Sequence, residues 1–164
     1  RKPVLAAIHG VCYGGAIDIV AACDLRYAAA DARFCVKEVD LAIVADLGTL
    51  QRLPRLIGEG ATLELAYTAR EFDGLEAARL GLVNAVLPDR AALDAHVLAV
   101  ATTIAAKSPL AKRGIKETLL HGREHGVAAG LAQVAARNAA LLLAPDLDEA
   151  LAAHRERRAA TYPD

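Results

Sequence analysis

The chain has 164 residues, and with 55% hydrophobic and 24% charged residues it can bury a substantial core, which excludes a disordered chain. Its 19 Lys and Arg residues almost balance its 20 Asp and Glu residues, which disfavours nucleic-acid binding through bulk positive charge and a polybasic membrane anchor. Only 4% of the residues are aromatic and none is Trp, which also disfavours a base-stacking surface.

The first third of the chain alternates short apolar runs with glycine and aspartate breaks. An apolar run over residues 3–8 predicts a buried strand, and residues 10–15 predict a glycine-rich turn. Residues 16–23 are compatible with a helix, and residues 25–29 and 33–36 predict two further short strands. This order of strand, turn, helix and strand predicts an α/β fold.

From residue 46 onward apolar residues recur at helical spacing, and capping signals mark where helices begin and end. Pro54 is expected to split the first helical segment. Asp89 and the pair Ser108–Pro109 are residue types that begin helices, and Gly81 is a type that ends one. The predicted elements are helices over residues 50–57, 59–67, 74–80, 89–107, 109–122, 127–143 and 146–158 and a strand over residues 83–87.

Three cysteines, Cys12, Cys23 and Cys35, stand without Cys-x-x-Cys spacing or a histidine cluster. They predict reduced thiols rather than a disulfide framework or a zinc site, and so a cytoplasmic protein. No uncharged apolar run reaches the ~20 residues needed to cross a bilayer, so no membrane association is predicted. The chain contains no Met, even at its first position, from which we expect the natural start to be missing.

Residues 10–18, Gly-Val-Cys-Tyr-Gly-Gly-Ala-Ile-Asp, form the first candidate site. A glycine pair at the start of a helix leaves the first backbone N–H groups unpaired, where the helix dipole adds positive charge. Such a bend can bind an oxyanion or a phosphate, since glycine lets a ligand approach the backbone closely. The alternative is a tight turn without a ligand, and the segment lacks the Gly-x-Gly-x-x-Gly and Walker patterns of nucleotide sites.

The second candidate site is a set of four acids, Asp18, Glu38, Asp40 and Asp46. Glu38 and Asp46 bracket residues 39–45, a stretch that is too apolar for a solvated surface loop. A carboxyl group buried in apolar surroundings holds its proton more tightly, which suits proton transfer near neutral pH. The alternative is that neighbouring basic side chains pair with these acids in purely structural ion pairs.

Residues 121–125, His-Gly-Arg-Glu-His, match the His-x-x-Glu-His pattern of some metalloproteases. That chemistry needs both imidazoles on one face of a stable helix and a third ligand downstream. Gly122 and Gly126 would fray such a helix, so a loop between two helices is predicted here and no metal site is expected.

Several segments are similar to the core signature of the crotonase (enoyl-CoA hydratase/isomerase) superfamily. These segments are residues 2–10, 14–18, 22–27, 48–58 and 77–83. The five segments together are specific, whereas any one of them alone would be a weak signal.

Within the superfamily the chain resembles the Δ3,5-Δ2,4-dienoyl-CoA isomerase subgroup most, on residues 36–40 and 45–54. A typical hydratase of the superfamily carries Glu at the position of Asp18 and a glycine-rich stretch where Asp46 stands. In this chain Asp18, Glu38 and Asp46 match the three acids of the dienoyl-CoA isomerases.

The resemblance implies an α/β fold with a ββα spiral core over residues 1–88, lacking the N-terminal part of that core. Residues 89–164 then form a helical oligomerisation region, which in this superfamily builds trimers or dimers of trimers. The implied partners are an acyl-CoA and further copies of the chain. The acyl-CoA thioester is the substrate, and neither a cofactor nor a metal is expected.

The same resemblance implies a role for each site residue. The N–H of Gly15 donates to the thioester oxygen in an oxyanion hole, and Gly14 belongs to the substrate-binding bend. Glu38 and Asp46 move protons, while Asp18 completes the catalytic set and supports the site. By position, our hypothesis assigns Glu38 to C2 and Asp46 to the distal carbon. The candidate CoA contacts are Arg157, Arg158 and Tyr162.

The implied reaction shifts the double bonds of a 3,5-dienoyl-CoA to the 2,4 positions through a stabilised enolate, in fatty acid beta-oxidation. The first alternative within the superfamily is an enoyl-CoA hydratase, in which two acids grip one water molecule. The second alternative, from another functional class, is a non-catalytic scaffold or acyl-CoA binder of the crotonase fold.

Overall fold

The computed structural model describes residues 2–163. Two compact units divide the chain. One is Val4–Leu98, and the other contains the described residues before Val4 and from Ala99 onward. The boundary lies inside a helix, Arg90–Ala105, so the division of roles predicted after residue 88 stays a prediction.

Six short strands form two small sheets in the first unit. They are β1 (Leu5–Ile8), β2 (Val11–Tyr13), β3 (Leu25–Ala29), β4 (Arg33–Cys35), β5 (Phe72–Asp73) and β6 (Ala85–Leu87). One sheet has the order β1-β3-β6 with parallel pairs, and the other has the order β2-β4-β5 with β5 antiparallel to β4. Because β1 to β4 alternate between the two sheets and helices follow each pair, the chain traces the predicted ββα arrangement.

The helices of the first unit begin and end largely where capping signals predict. They are α1 (Gly15–Ala22), α2 (Thr49–Ile57), α3 (Glu59–Thr68), α4 (Gly74–Leu80) and the first part of α5 (Arg90–Ala105), with a 3₁₀ turn at Glu38–Leu41. The Asp89 carboxylate accepts the N–H of Ala92 at 2.8 Å, which confirms the predicted cap of α5. Gly81 ends α4 with a φ of 88°, as predicted.

The core of this unit fills the space between the sheets and helices α1 to α4. Its largest fully buried side chains include Ile17 of α1, Phe34 of β4, Leu53 of α2 and Leu65 of α3. Phe34 stacks on Phe72 of β5 with ring centroids 5.3 Å apart. This packing fixes the start of α1 against the end of β4, where the candidate site lies.

The second unit is helical. It contains the rest of α5, then α6 (Pro109–Leu141) and α7 (Pro145–Glu156). Ser108 caps α6 by accepting the N–H of Ala111 at 3.1 Å, as predicted. No single helix of residues 2–163 has the length and apolar composition to cross a membrane, and α6 and α7, bent by 71°, meet these limits only as a pair.

Two predictions for the first unit are wrong. Residues 10–15 are not one turn, because β2 lies between Gly10 and Gly14 and pairs with β4. Pro54 does not split the helix, since α2 continues through it and Gly58 donates its N–H to the Pro54 carbonyl at 3.1 Å. Both errors arise from tertiary contacts. Pairing with β4 makes residues 11–13 a strand, and burial of Leu53 holds α2 together next to Pro54.

The predicted loop at residues 121–125 is also wrong, because α6 stays helical until Gly126, whose φ of 85° breaks it. The two halves of α6 fold against each other there, and a Cβ on Gly130 would lie 3.4 Å from the Cα of Gly122. Arg137 of the second half donates to the Glu117 carboxylate of the first. The glycines therefore permit close helix packing where the sequence predicted fraying.

Candidate active site

The start of α1 is a tight bend at a glycine pair that leaves a backbone donor free. Gly14 has φ 53° and ψ −123°, and its N–H donates to the Cys35 carbonyl of β4 at 3.0 Å. Gly15 is the first residue of α1, and among residues 2–163 its N–H has no hydrogen-bond partner. A Cβ on Gly15 would meet no atom of the described residues within 4 Å. This bend has the free donor that an oxyanion hole requires.

Glu38 carries its carboxylate to this bend. It begins the 3₁₀ turn after β4, and only 9% of the residue is exposed. Its Oε1 would lie 3.3 Å from a Cβ placed on Gly14, and its Oε2 is buried without a hydrogen-bond partner in the part of the chain that the structure describes. Lys37 pairs with Asp40 at 2.5 Å, so the predicted structural ion pairing applies to Asp40. A buried unpaired carboxylate oxygen is costly to a fold and is therefore a feature of functional sites.

Asp18 is buried in α1, with 4% of the residue exposed, and it binds the start of α2. Its Oδ1 accepts the backbone N–H of Thr49 at 2.6 Å and the Thr49 hydroxyl at 2.7 Å. A carboxylate at a helix N-terminus satisfies an otherwise unpaired N–H and complements the helix dipole. Thr49 gave no signal in the sequence, because the residue that it contacts is distant along the chain.

Asp46 is exposed and lies in the loop between the 3₁₀ turn and α2. The prediction that residues 39–45 are too apolar for a surface loop is wrong. The large apolar residues there range from 44% exposed at Val39 to 70% at Val44, whereas Ala45, at 6%, is buried. Apolar side chains gain free energy when they are buried, which is why the sequence predicted burial here. Burial also needs another surface to pack against them, and residues 2–163 do not provide one at this loop.

The loop that carries Asp46 is tied down near its end. Arg52 of α2 reaches back and donates from Nη1 to the Leu47 carbonyl at 3.0 Å. Gly48 has a φ of 116°, and a Cβ there would lie 1.6 Å from this Nη1. The backbone conformation therefore favours glycine at this position, and a larger residue would also displace the end of the Arg52 side chain from the Leu47 carbonyl.

The predicted CoA contacts lie in the second unit. Arg158 is paired with Glu149 at 2.5 Å and with Glu156 at 2.6 Å, so its charge is already neutralised. Arg158 and the Thr161 N–H together lower the pKa of Glu149 to about 2. Arg157 is exposed and makes no ion pair among the described residues, while Tyr162 is half-buried.

The two histidines of the His-x-x-Glu-His segment come together on α6, with ring centroids 4.2 Å apart. A cavity of about 470 Å³ lies beside the first of them, lined by Glu117, Leu120, His121, Glu124 and Gln133. Within residues 2–163, no group of three or more His, Cys, Asp or Glu side chains is arranged to hold a metal ion.

The whole sequence, residues 1–164, matches the family model described as enoyl-CoA hydratase/isomerase. The chain belongs to this family. It is 54% identical to the peroxisomal Delta(3,5)-Delta(2,4)-dienoyl-CoA isomerase of Arabidopsis thaliana over 96% of the chain and 57% of that protein. It is 48% identical to the mitochondrial enzyme of the same name from Homo sapiens over 96% of the chain and 48% of that protein. The chain thus spans about half the length of the curated relatives it matches.

The fold of the family is also found in solved structures. The enoyl-CoA hydratase of Bacillus anthracis superposes with a TM-score of 0.93 at 38% identity, covering 98% of this chain and 62% of the other. The crotonase-type α/β fold expected from the sequence motifs is therefore confirmed. These comparisons do not test the individual roles of Gly14, Gly15, Asp18, Glu38 and Asp46, which remain predictions.

The prediction of a cytoplasmic location is contradicted by these comparisons. The Arabidopsis relative is named as peroxisomal and the human relative as mitochondrial. The prediction relied on free thiols, and the structure does leave Cys12, Cys23 and Cys35 unbridged. Reduced thiols do not distinguish the cytosol from the interior of an organelle, which is why the inference failed.

Proposed function

We propose that the protein containing this chain is an acyl-CoA isomerase that converts a 3,5-dienoyl-CoA to a 2,4-dienoyl-CoA, as a step in fatty acid beta-oxidation. The observation that carries the proposal is the buried carboxyl group of Glu38, whose Oε1 lies beside the bend at Gly14 and whose Oε2 has no hydrogen-bond partner among residues 2–163. Support also comes from the two relatives named as dienoyl-CoA isomerases, at 54% and 48% identity.

The proposed chemistry begins at the bend. The free N–H of Gly15 donates to the thioester oxygen and stabilises the negative charge that develops there when C2 loses a proton. We assign the removal of this proton to Glu38, because its carboxyl group lies beside the bend and one oxygen of that group, Oε2, has no hydrogen-bond partner among the described residues. The reaction requires no cofactor, since electrons only move along the conjugated chain.

Asp46 acts at the other end of the substrate. Removal of the C2 proton from a 3,5-dienoyl thioester delocalises negative charge from the thioester oxygen to C6. Return of a proton to C6 then leaves double bonds at the 2 and 4 positions, so every atom is conserved. We assign this return to Asp46, which lies in a separate loop from Glu38, whereas hydration would need two acids around one water molecule.

The proposal keeps acyl-CoA binding and homo-oligomer formation as predictions. Arg157 is the better candidate for a CoA phosphate, because Arg158 is paired with Glu149 and Glu156. Tyr162 remains a candidate contact. Exposed apolar side chains on the helices of the second unit, such as Ile115 and Leu131, are consistent with contact between copies of the chain.

The test compares two substrates with the longest native polypeptide that contains this sequence. The proposal predicts conversion of a 3,5-dienoyl-CoA, followed by the absorbance of the 2,4-dienoyl thioester, and at least tenfold slower hydration of a 2-enoyl-CoA. Glu38→Gln should lower the isomerase rate about 1,000-fold, the range of a lost general base. Asp40→Asn, an exposed acid in the same turn, should stay within about twofold of wild type as a matched control.

Preferred hydration of the 2-enoyl-CoA would replace the proposed function with the hydratase alternative. Binding of both thioesters without turnover of either would support the scaffold alternative instead. An equal loss of activity in Glu38→Gln and Asp40→Asn would show that the turn acts through its structure and not through the Glu38 carboxylate.

A further inference from the structure

The loop that carries Asp46 has little hydrogen bonding of its own. Its first residue, Ile43, donates its N–H to the Glu38 carbonyl at 3.2 Å. From Val44 to Leu47, no backbone N–H makes a hydrogen bond to another residue in the described part of the chain. The position of the Asp46 carboxylate therefore depends on how the two ends of this loop are held.

Two contacts hold the end of the loop that follows Asp46. One joins Arg52 to the Leu47 carbonyl and is exposed to solvent. The other joins Thr49 to Asp18 through two hydrogen bonds to one buried oxygen. Buried hydrogen bonds to a charged acceptor are among the stronger ones in proteins, so the Asp18–Thr49 contact is the firmer anchor.

We propose that Asp18 is a positioning residue that acts on Asp46 through Thr49, without contact to the substrate. The inference rests on the proposed function. It specifies the supporting role that the family resemblance implies for Asp18, because the observed contacts of the Asp18 carboxylate lead to α2. The loop lies between this anchor and Glu38, so loss of the anchor frees Asp46 while Glu38 stays in place.

The test uses matched variants of both partners in the longest native polypeptide. Thr49→Val removes the hydroxyl bond at nearly constant volume, and Thr49→Ser keeps both bonds. We expect Thr49→Val to lower kcat at least fivefold with KM changed less than twofold, and Thr49→Ser to lose less than twofold. Asp18→Asn, which keeps an acceptor oxygen, should retain at least ten times the activity of Asp18→Ala.

A position-resolved isotope readout separates positioning from a general loss of structure. In deuterated water, Asp18→Ala and Thr49→Val should slow label entry at C6 and leave exchange at C2 within about twofold of wild type. The double variant Asp18→Ala/Thr49→Val should be no slower than Asp18→Ala alone, because both changes break one contact. If the activity loss of the double variant equalled the product of the two single losses, the proposal would be overturned. Equal activity losses in Asp18→Asn and Asp18→Ala would also overturn it.

A readout without substrate keeps this inference distinct from the proposed function. Amide hydrogen exchange at Thr49, whose N–H is bound to Asp18, should be at least tenfold faster in Asp18→Ala than in wild type, with the amides of β3 unchanged. Unchanged exchange at Thr49 would overturn the positioning role, even in an active isomerase. Failure of wild type to convert a 3,5-dienoyl-CoA would instead overturn the proposed function, and the exchange measurement would still decide whether Asp18 holds the loop.

Discussion

The start of α1 and the loop over residues 43–48 are held by different kinds of contact. At α1, Gly14 is hydrogen-bonded to the end of β4, and the Glu38 carboxylate is buried against it. In the loop, apolar side chains are exposed, and the hydrogen bonds lie mainly at the two ends. Packing therefore fixes the first acid, while anchors outside the loop fix the second.

This difference shows how one site can combine a rigid group with an adjustable one. The buried acid is costly to the fold because its oxygen lacks a partner, and the neighbouring core must hold it. The exposed acid costs the fold little because its carboxylate stays in water, but its position is only as precise as the contacts at its loop ends. Substitutions in the two regions should therefore have different effects on stability and on the two proton transfers.

The largest expected effect comes from removing the buried charge. Glu38→Met should abolish isomerisation, with about a 1,000-fold loss, and should raise the free energy of unfolding by about 1 kcal/mol, because an unpaired buried oxygen is replaced by an apolar group. Enzyme assays and urea unfolding would measure the two effects. A loss of stability would contradict the view that Glu38 is kept for function.

Gly14→Ala should have the next largest effect. Its positive φ and the Glu38 Oε1 at 3.3 Å from the new Cβ predict a destabilisation of about 2 kcal/mol, and displacement of the base predicts a kcat about 100-fold lower. Gly10→Ala is the matched control, since Gly10 also has a positive φ but its Cβ would meet nothing within 4 Å. Equal activity losses in the two variants would show that the backbone conformation, and not displacement of Glu38, causes the loss of activity in Gly14→Ala.

Arg52→Leu should weaken the exposed anchor of the loop and lower kcat only about threefold, with stability nearly unchanged. The Arg52 bond to Leu47 is solvent-exposed, and the Asp18–Thr49 anchor remains in place. Kinetics and thermal unfolding would measure this variant beside Arg55→Leu on the same helix. A loss above 100-fold would mean that Arg52 and not Asp18 fixes the loop.

Thiol labelling needs no substitution and should report how often the structure around the start of α1 opens. Cys12 and Cys35 are buried, and burial raises the pKa of the Cys12 thiol to about 12 and that of Cys35 above its usual value. At pH 8 both should react at least 100-fold more slowly than the partly exposed Cys23. Equal rates for the three thiols would indicate frequent opening around α1.

The features that the sequence predicted well depend on nearby residues. The caps at Asp89 and Ser108 and the end of α4 at Gly81 are local hydrogen-bonding or conformational effects, and the structure confirms them. The strands β2 and β5 were missed because each is stabilised by pairing with β4, which is distant along the chain. A two- or three-residue strand carries too little pattern of its own to be recognised.

In the candidate site, too, the features that depend on neighbouring residues were predictable, and those that depend on distant residues were not. The bend at Gly14 and Gly15 was predictable because it depends on a glycine pair at a helix start. The contact of Asp18 with Thr49 spans 31 positions, and neither residue type alone predicts the other. The exposure of the loop around Val44 was missed because burial depends on the surfaces that fold against a segment.

The most direct test of the assignment measures where deuterium enters the substrate in deuterated water. With Glu38→Gln, exchange at C2 should fall at least 100-fold. With Asp46→Asn, exchange at C2 should continue while label at C6 falls by a similar factor. Loss of C2 exchange in Asp46→Asn alone would reverse the two roles, and loss at both carbons in both variants would contradict a division of proton transfer between these acids.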